Sequence, residues 1–242
     1  MRARELPAPS AAVAALVAAG AAVCAAEAAD PVRQARAALR WAAGAFDRRL
    51  VVASSMADGV LAHLASVEAP GVDVLFLDTG YHFAETLAMR DVVAREYPVR
   101  MITVLPALTP AEQDAAHGTD LWARDPDQCC AMRKVEPLER SLVGYDAWVT
   151  GLRRDDAPTR RDVDVVAWDA RRGKVKVNPL ARWSDQDVET YAAAHEVPVH
   201  PLRERGFASI GCWPCTRPVA PGEHPRAGRW SETGKTECGL HS

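Results

Sequence analysis

The chain reads as an α/β protein: a mostly parallel sheet with helices on both faces, followed by an irregular C-terminal arm. Three observations predict this. Between residues 47 and 202, short apolar runs alternate with amphipathic stretches of helical length, the pattern of a buried parallel sheet with helical crossovers. Several of the runs end directly in polar or glycine-containing turns, where such sheets bind ligands. From about residue 203 the periodicity fades and Gly, Pro and Cys accumulate.

Each element has a local reason. Residues 10–28 and 32–46 read as two helices, the first capped by Ser10 and the second opened by Asp30-Pro31. Leu50 to Ala53 is a strand leading into a Ser-Ser turn and a helix from about Asp58 to Ala69. Val72 to Leu77 is a second strand, followed by Asp78-Thr79-Gly80 and a helix over 83–96. Val99 to Leu105 is a third strand, and Trp148-Val149 belong to a fourth that ends in Gly151-Leu152-Arg153-Arg154. Val175 to Val177 is another short strand. Ser184 caps a helix running to about His195, with Asp187 complementing its positive end. The turns at Ser54-Ser55, at Thr79-Gly80 and at Gly151 to Arg154 should therefore converge on one edge of the sheet.

A length of 242 residues suits one large α/β domain with short appendages. The net charge of -3 gives no push toward nucleic acid or an anionic membrane, and neither is expected as a partner. Composition leaves a monomer and a homo-oligomer both open. Arg2 and Arg4 before the Ala/Val run 11–26 loosely mimic a secretory leader, but Glu5, Pro7 and Pro9 interrupt it. The run is too weakly apolar to span a membrane. Exposed thiol chemistry favours a reducing cytoplasm.

The cysteines divide into groups. Cys129-Cys130 and Cys212-x-x-Cys215 supply four soft ligands, while Cys238 stands apart near the end of the chain, on a tail expected to be mobile. Adjacent helical residues point about 100° apart, so Cys129 and Cys130 would chelate one small ion awkwardly. Separate corners of an iron–sulfur cubane suit them better, and the count matches a [4Fe–4S] cluster. A zinc site with four cysteine ligands stays open as the alternative. Cys24, in the Ala-rich helix, reads as a packing residue. Lys235, His241 and a basic pocket could each favour the Cys238 thiolate, the nucleophilic form.

The basic loops suit an anion. Arg153, Arg154 and Arg160 follow strands at the ligand edge, and guanidinium pairs with phosphate or sulfate in bidentate fashion. Lys134 lies four residues after Cys130, on the same helical face, between a metal centre and a bound anion. Ser54-Ser55-Met56-Ala57-Asp58 can present backbone N–H groups to a phosphate at a helix N-terminus. It lacks the G-K-[ST] ending of an ordinary P-loop.

Five segments, in order along the chain, carry a resemblance: Leu77 to Thr86, Cys129-Cys130-Ala131-Met132-Arg133-Lys134, Gly151 to Arg154, Ser209 to Thr216, and Glu237-Cys238-Gly239-Leu240-His241. Together they resemble the assimilatory adenylyl-sulfate reductases, the iron–sulfur type within the phosphoadenylyl-sulfate reductase family. The resemblance implies an adenine nucleotide α-hydrolase-like fold and reduction of adenosine 5′-phosphosulfate to sulfite and AMP, with electrons from thioredoxin. By the same resemblance, Cys238 is the nucleophile that forms an S-sulfonate, and Cys129, Cys130, Cys212 and Cys215 hold one [4Fe–4S] cluster per chain. Lys134 links cluster and substrate, and Arg226 and Arg229 match arginines at the phosphosulfate pocket. Ser54 and Ser55 contact the nucleotide phosphate, although their loop is shorter than the common serine-rich version ending in Phe-Gly. The implied organisation is a helical segment over 1–46, a nucleotide-binding domain over 47–202, and a cluster-binding segment with catalytic tail over 203–242. Alternatives are a reductase of the 3′-phosphorylated nucleotide, an ATP pyrophosphatase of the tRNA-thiolation type, and a non-catalytic metal or redox sensor.

Overall fold

The computed structural model describes residues 6–231 and 233–241. Arg2, Arg4 and Glu5, the charged residues of the leader-like start, lie outside the described residues. The N-terminal pair forms as its caps predict. Helix α1 (Ala11–Ala26) starts where Ser10 Oγ accepts the Val13 N–H at 3.3 Å. Helix α2 (Pro31–Phe46) starts where Asp30 accepts the Val32 and Arg33 N–H groups at 2.9 and 3.1 Å.

The chain then alternates β1 (Leu50–Ala53), α3 (Val60–Glu68), β2 (Asp73–Leu77), α4 (Ala84–Glu96) and β3 (Arg100–Val104). Four helices follow: α5 (Pro110–His117), α6 (Leu121–Arg124), α7 (Pro126–Cys130) and, after a π-helical turn over Ala131–Val135, α8 (Glu136–Ser141). The rest is β4 (Ala147–Thr150), β5 (Val166–Asp169), β6 (Lys174–Val177), α9 (Asp185–Ala194) and the arm.

The described strands form one six-stranded sheet in the order β3-β2-β1-β4-β6-β5. All neighbours are parallel except β5 and β6, an antiparallel hairpin pairing Val166 with Val177. Its edge strand β5 was absent from the sequence expectation, because four residues between charged clusters leave little periodicity. The strand order reverses at β1 and β4, and the loops after these two strands flank the crevice where such sheets take ligands.

Alternation along the strands sends side chains to two faces. Leu50, Val52, Val74, Val149 and Val177 join the larger core with Leu39 of α2, Leu64 of α3 and Val188 of α9. Val51, Leu75 and Trp148 face a smaller cluster with Leu138 and Leu142. That second face is covered in part by the end of the chain: Leu240 packs against the cluster, and the His241 ring stacks on Trp148 with centroids 5.7 Å apart. No described helix is long and apolar enough to cross a membrane.

Candidate active site

A cavity of about 270 Å³ opens at the carboxyl ends of the strands. Of the residues expected to meet a ligand, Ser54, Ser55, Thr79, Lys134, Arg153, Arg160, Arg226, Arg229 and Cys238 line it. Gly80 and Arg154 do not. Gly80 adopts φ 71°, and a Cβ there would meet Pro110 at 2.9 Å, so glycine serves the turn. Arg154 turns away, its Nε donating to the Val163 carbonyl at 2.9 Å.

The cations differ in how far they are already engaged. Arg153 donates through Nη2 to Asp156 and Asp185 at 2.8 and 2.7 Å, and its buried Nη1 has no partner. The Arg229 guanidinium lies 4.5 Å from the Trp230 ring centroid, with Nη1 near the Ile210 carbonyl at 3.3 Å and Nε buried and unpartnered. Gly211 makes room for it, since a Cβ there would stand 2.2 Å from Arg229 Nη2. Arg160 is engaged through all three nitrogens: Nε and Nη2 hold the Glu237 carboxylate at 2.8 and 2.7 Å, and Nη1 holds Asp156 at 2.9 Å. Unpaired buried donors on residues that line a cavity favour an anion there.

Beside this cavity lies a second, small one, lined by Cys129, Cys130, Cys212 and Cys215 with Tyr81, Trp122, Arg133 and Lys134. All four are free thiols, three buried and Cys215 partly so. Burial, then the neighbouring thiols Cys130 and Cys212, pushes Cys129 up to about 11; burial and Cys212 push Cys215 up to about 12. Burial also raises Cys130, and four thiols gathered round one small cavity fit a site completed by bound cationic metal, which stabilises thiolates outright. Among the described residues, no three His, Cys, Asp or Glu side chains group so as to hold a single metal ion.

Lys134 lines both cavities. Burial alone would lower its pKa, but Cys212, Cys238 and Cys130 outweigh that and hold the ammonium above its ordinary range. The π-helical turn that carries it follows directly on Cys130, and such turns cluster at functional sites. Thr79, only 1 % exposed, bridges the cavities, its Oγ1 standing 3.3 Å from Cys212 Sγ. Behind it Arg133 donates to the Thr79 carbonyl and to Gln113 Oε1, both at 2.8 Å. Sequence reading passed over Arg133, for which the only signal was its place beside Lys134.

The tail is seated in the large cavity, in contrast to the free end expected of a terminus. Glu237 is clamped by Arg160, and Arg226 donates to the Thr236 carbonyl at 2.8 Å. His241 is half-buried, with its Nδ1 shielded from solvent and without a partner. Burial, with Lys176, Arg160, Arg172 and Arg226 around it, lowers its pKa well below the usual histidine range. A neutral imidazole brings Cys238 no positive charge, so His241 does not play the expected part in ionising the thiol. Lys235 is drawn into an ion pair with Asp127. Lys134 and Arg160 are the cations that interact electrostatically with the thiol. Lys176, also unanticipated, sits 5.0 Å from the Trp148 ring, and burial brings it down to about 8.

The profile of the phosphoadenosine phosphosulfate reductase domain matches residues 49–218. The chain belongs to this family. A curated relative from Streptomyces coelicolor, named adenosine 5′-phosphosulfate reductase, is 59% identical over 203 residues, covering 84% of this chain and 86% of its own length. One of the same name from Mycobacterium tuberculosis is 56% identical over 192 residues, covering 79% of this chain and 76% of its own. Among solved structures, the phosphoadenylyl-sulfate reductase of Candida auris, a phosphate complex, aligns with TM-score 0.65 and 29% identity over 76% of this chain and 90% of its own. An FMN adenylyltransferase of Candida glabrata aligns at TM-score 0.56 with 12% identity, covering 87% of this chain and 78% of its own, a likeness of fold alone. The profile match spans the whole sheet and both cysteine pairs, and it stops before Arg226, Arg229 and Cys238. The fold is that of the adenine nucleotide α-hydrolase-like proteins.

Proposed function

We propose that this chain reduces adenosine 5′-phosphosulfate to sulfite and AMP in the cytoplasm, as a step of sulfate assimilation, with thioredoxin as the electron donor. The observation that carries the reading is the place of Cys238, in the wall of the same cavity as Lys134, Arg226 and Arg229. A thiol among cations, beside strand-end turns suited to a nucleotide, is arranged for attack on an anionic sulfuryl group.

The chemistry balances without a further oxidant. The Cys238 thiolate attacks the sulfate sulfur, an S–S bond forms, and the bond from sulfur to the phosphate oxygen breaks with its electron pair leaving on AMP. Lys134 and the open donors of Arg153 and Arg229 stabilise the charge that develops on the leaving phosphate. A thiolate of thioredoxin then attacks Cys238 Sγ, expelling sulfite. The second thioredoxin thiol resolves the mixed disulfide, so two electrons pass from the dithiol to sulfur and Cys238 returns as a thiol.

Cys129, Cys130, Cys212 and Cys215 would hold a [4Fe–4S] cluster, the donor set and number both being suitable. Bound there, the cluster supplies a fixed field and order beside the substrate. Residues 47–202 would serve as the nucleotide-binding domain behind the helical segment 1–46, with 203–242 as the cluster-binding segment and catalytic tail.

The test is mass spectrometry after adenosine 5′-phosphosulfate is added without thioredoxin. One sulfonate on the Cys238 peptide and an equal amount of AMP are expected. Cys238→Ser should bind nucleotide and form no adduct, because a hydroxyl is a far weaker nucleophile near neutral pH. Normal sulfite production by that variant would refute the mechanism. A kcat/KM for the 3′-phosphorylated nucleotide equal to or above that for the unphosphorylated one would move the substrate to the other member of the family.

A further inference from the structure

Arg160 sits in the cavity wall, yet all three of its guanidinium nitrogens are committed to protein carboxylates. Its main partner, Glu237, immediately precedes Cys238 and does not itself line the cavity. The Glu237 carboxylate receives four donors: Arg160 Nε and Nη2, Thr159 Oγ1 at 3.1 Å and Arg226 Nη2 at 3.4 Å. The Arg160 and Glu237 side chains are only 12 and 23 % exposed, so water screens the pair far less than a surface bridge.

The rest of the tail is held farther from the thiol. Among the described residues, side chains hold Thr236 to His241, with no backbone ladder. Leu240 and His241 anchor the end of the chain by apolar contact two and three residues beyond Cys238. Gly239, with φ 81°, lies between these anchors and the thiol. The anchor next to Cys238 is Glu237.

Building on the reading of Cys238 as nucleophile, we infer that Glu237 is a positioning residue: its carboxylate, clamped by Arg160 and Arg226, holds the tail so that Cys238 faces the cavity. The clamp and Asp156 engage all three nitrogens of Arg160, whereas Arg153 and Arg229 each keep an unpartnered buried nitrogen. A tail held by a few ion pairs and a small apolar contact can dock for attack and still leave to meet a reductant.

The test uses the anaerobic, cluster-loaded full chain and two variants, Glu237→Gln and Arg160→Ala. Iodoacetamide labelling of Cys238, located by mass spectrometry, reads how far the thiol is held. Through charge alone the variants would move the rate in opposite directions, since one removes a negative and the other a positive neighbour of the thiol. Through loss of the clamp both should speed labelling, about tenfold or more for a lost charge-assisted bond. In Glu237→Gln, formation of the Cys238 S-sulfonate should slow about 10- to 100-fold while AMP binds no more weakly, because Glu237 does not line the cavity. Labelling changes of opposite sign, weakened AMP binding by Glu237→Gln, or its adduct forming at the wild-type rate would each overturn the inference. A wild-type protein that forms no adduct would overturn the functional reading instead, and the labelling pair would still decide the clamp.

Discussion

Arg133→Met should lower stability by a measurable and calculable amount. Arg133 is 2 % exposed and joins α5 to the turn after β2, through Gln113 Oε1 and the Thr79 carbonyl. Its guanidinium carbon also lies 4.7 Å from the Tyr81 ring centroid. Methionine keeps most of the stem and removes all three interactions. Two hydrogen bonds from a charged donor are worth about 1.5–3 kcal/mol each, and the ring contact about 1 kcal/mol. Against this, the variant no longer buries a guanidinium, whose Nη2 already lacks a partner, and relief of that desolvation returns several kcal/mol. The net loss is about 2–4 kcal/mol, or about 4–16 °C in Tm for a chain of this size. Anaerobic thermal unfolding followed by circular dichroism measures it. A shift below about 2 °C would refute the reasoning, showing that the buried cation is no better than its apolar replacement.

Three further outcomes are expected. Changing any one of Cys129, Cys130, Cys212 or Cys215 to Ser should lose iron and activity together; fully active protein with stoichiometric zinc would defeat the cluster assignment. Arg229→Ala should slow adduct formation about tenfold or more while Cys238 stays reactive toward iodoacetamide, and an unchanged single-turnover rate would exclude Arg229 from charge stabilisation. His241 should hold its proton only well below the ordinary range, because burial among Lys176, Arg160, Arg172 and Arg226 opposes the charged form. The docked tail is therefore favoured above about pH 6.5 and loses stability as pH falls below it, where the undocked imidazole takes up the proton. Burial alone would raise the Glu237 carboxyl, but Arg160 outweighs it and the pKa is lowered. Its contribution is thus also present at higher pH and lost at more acid pH. A His241 imidazole titrating by NMR near pH 6.5 would contradict the buried stack.

Much of the architecture was legible because it is local. The caps Ser10, Asp30 and Ser184 act within three residues of themselves, and the runs at Leu50, Val72 and Val99 are continuous enough to read as buried parallel strands. Strand β5 was not legible, because its pairing with β6 supplies what four residues of pattern cannot. The cysteine pairs announced a soft-ligand site by residue type and spacing alone. Arg133, Gly211 and Lys176 gave no comparable signal: their surroundings come from segments far away in the chain.

The sequence by itself determined helices α1 to α4 and α9 but not α5 to α8, along with most strands, the ligand edge of the sheet, the two cysteine pairs and the separate terminal thiol, since periodicity, caps and spacing are properties of neighbours. Only the tertiary structure decided which cations remain open to a ligand. Arg153, Arg154 and Arg160 look alike as letters, yet one keeps a buried free donor, one turns to the Val163 carbonyl and one is consumed by Glu237. It also decided that the tail is seated, because Trp148 on a central strand, Arg160 on a loop and the last residues meet only once the sheet has formed. Charge and apolar contact act through space, and that distance is set by the fold.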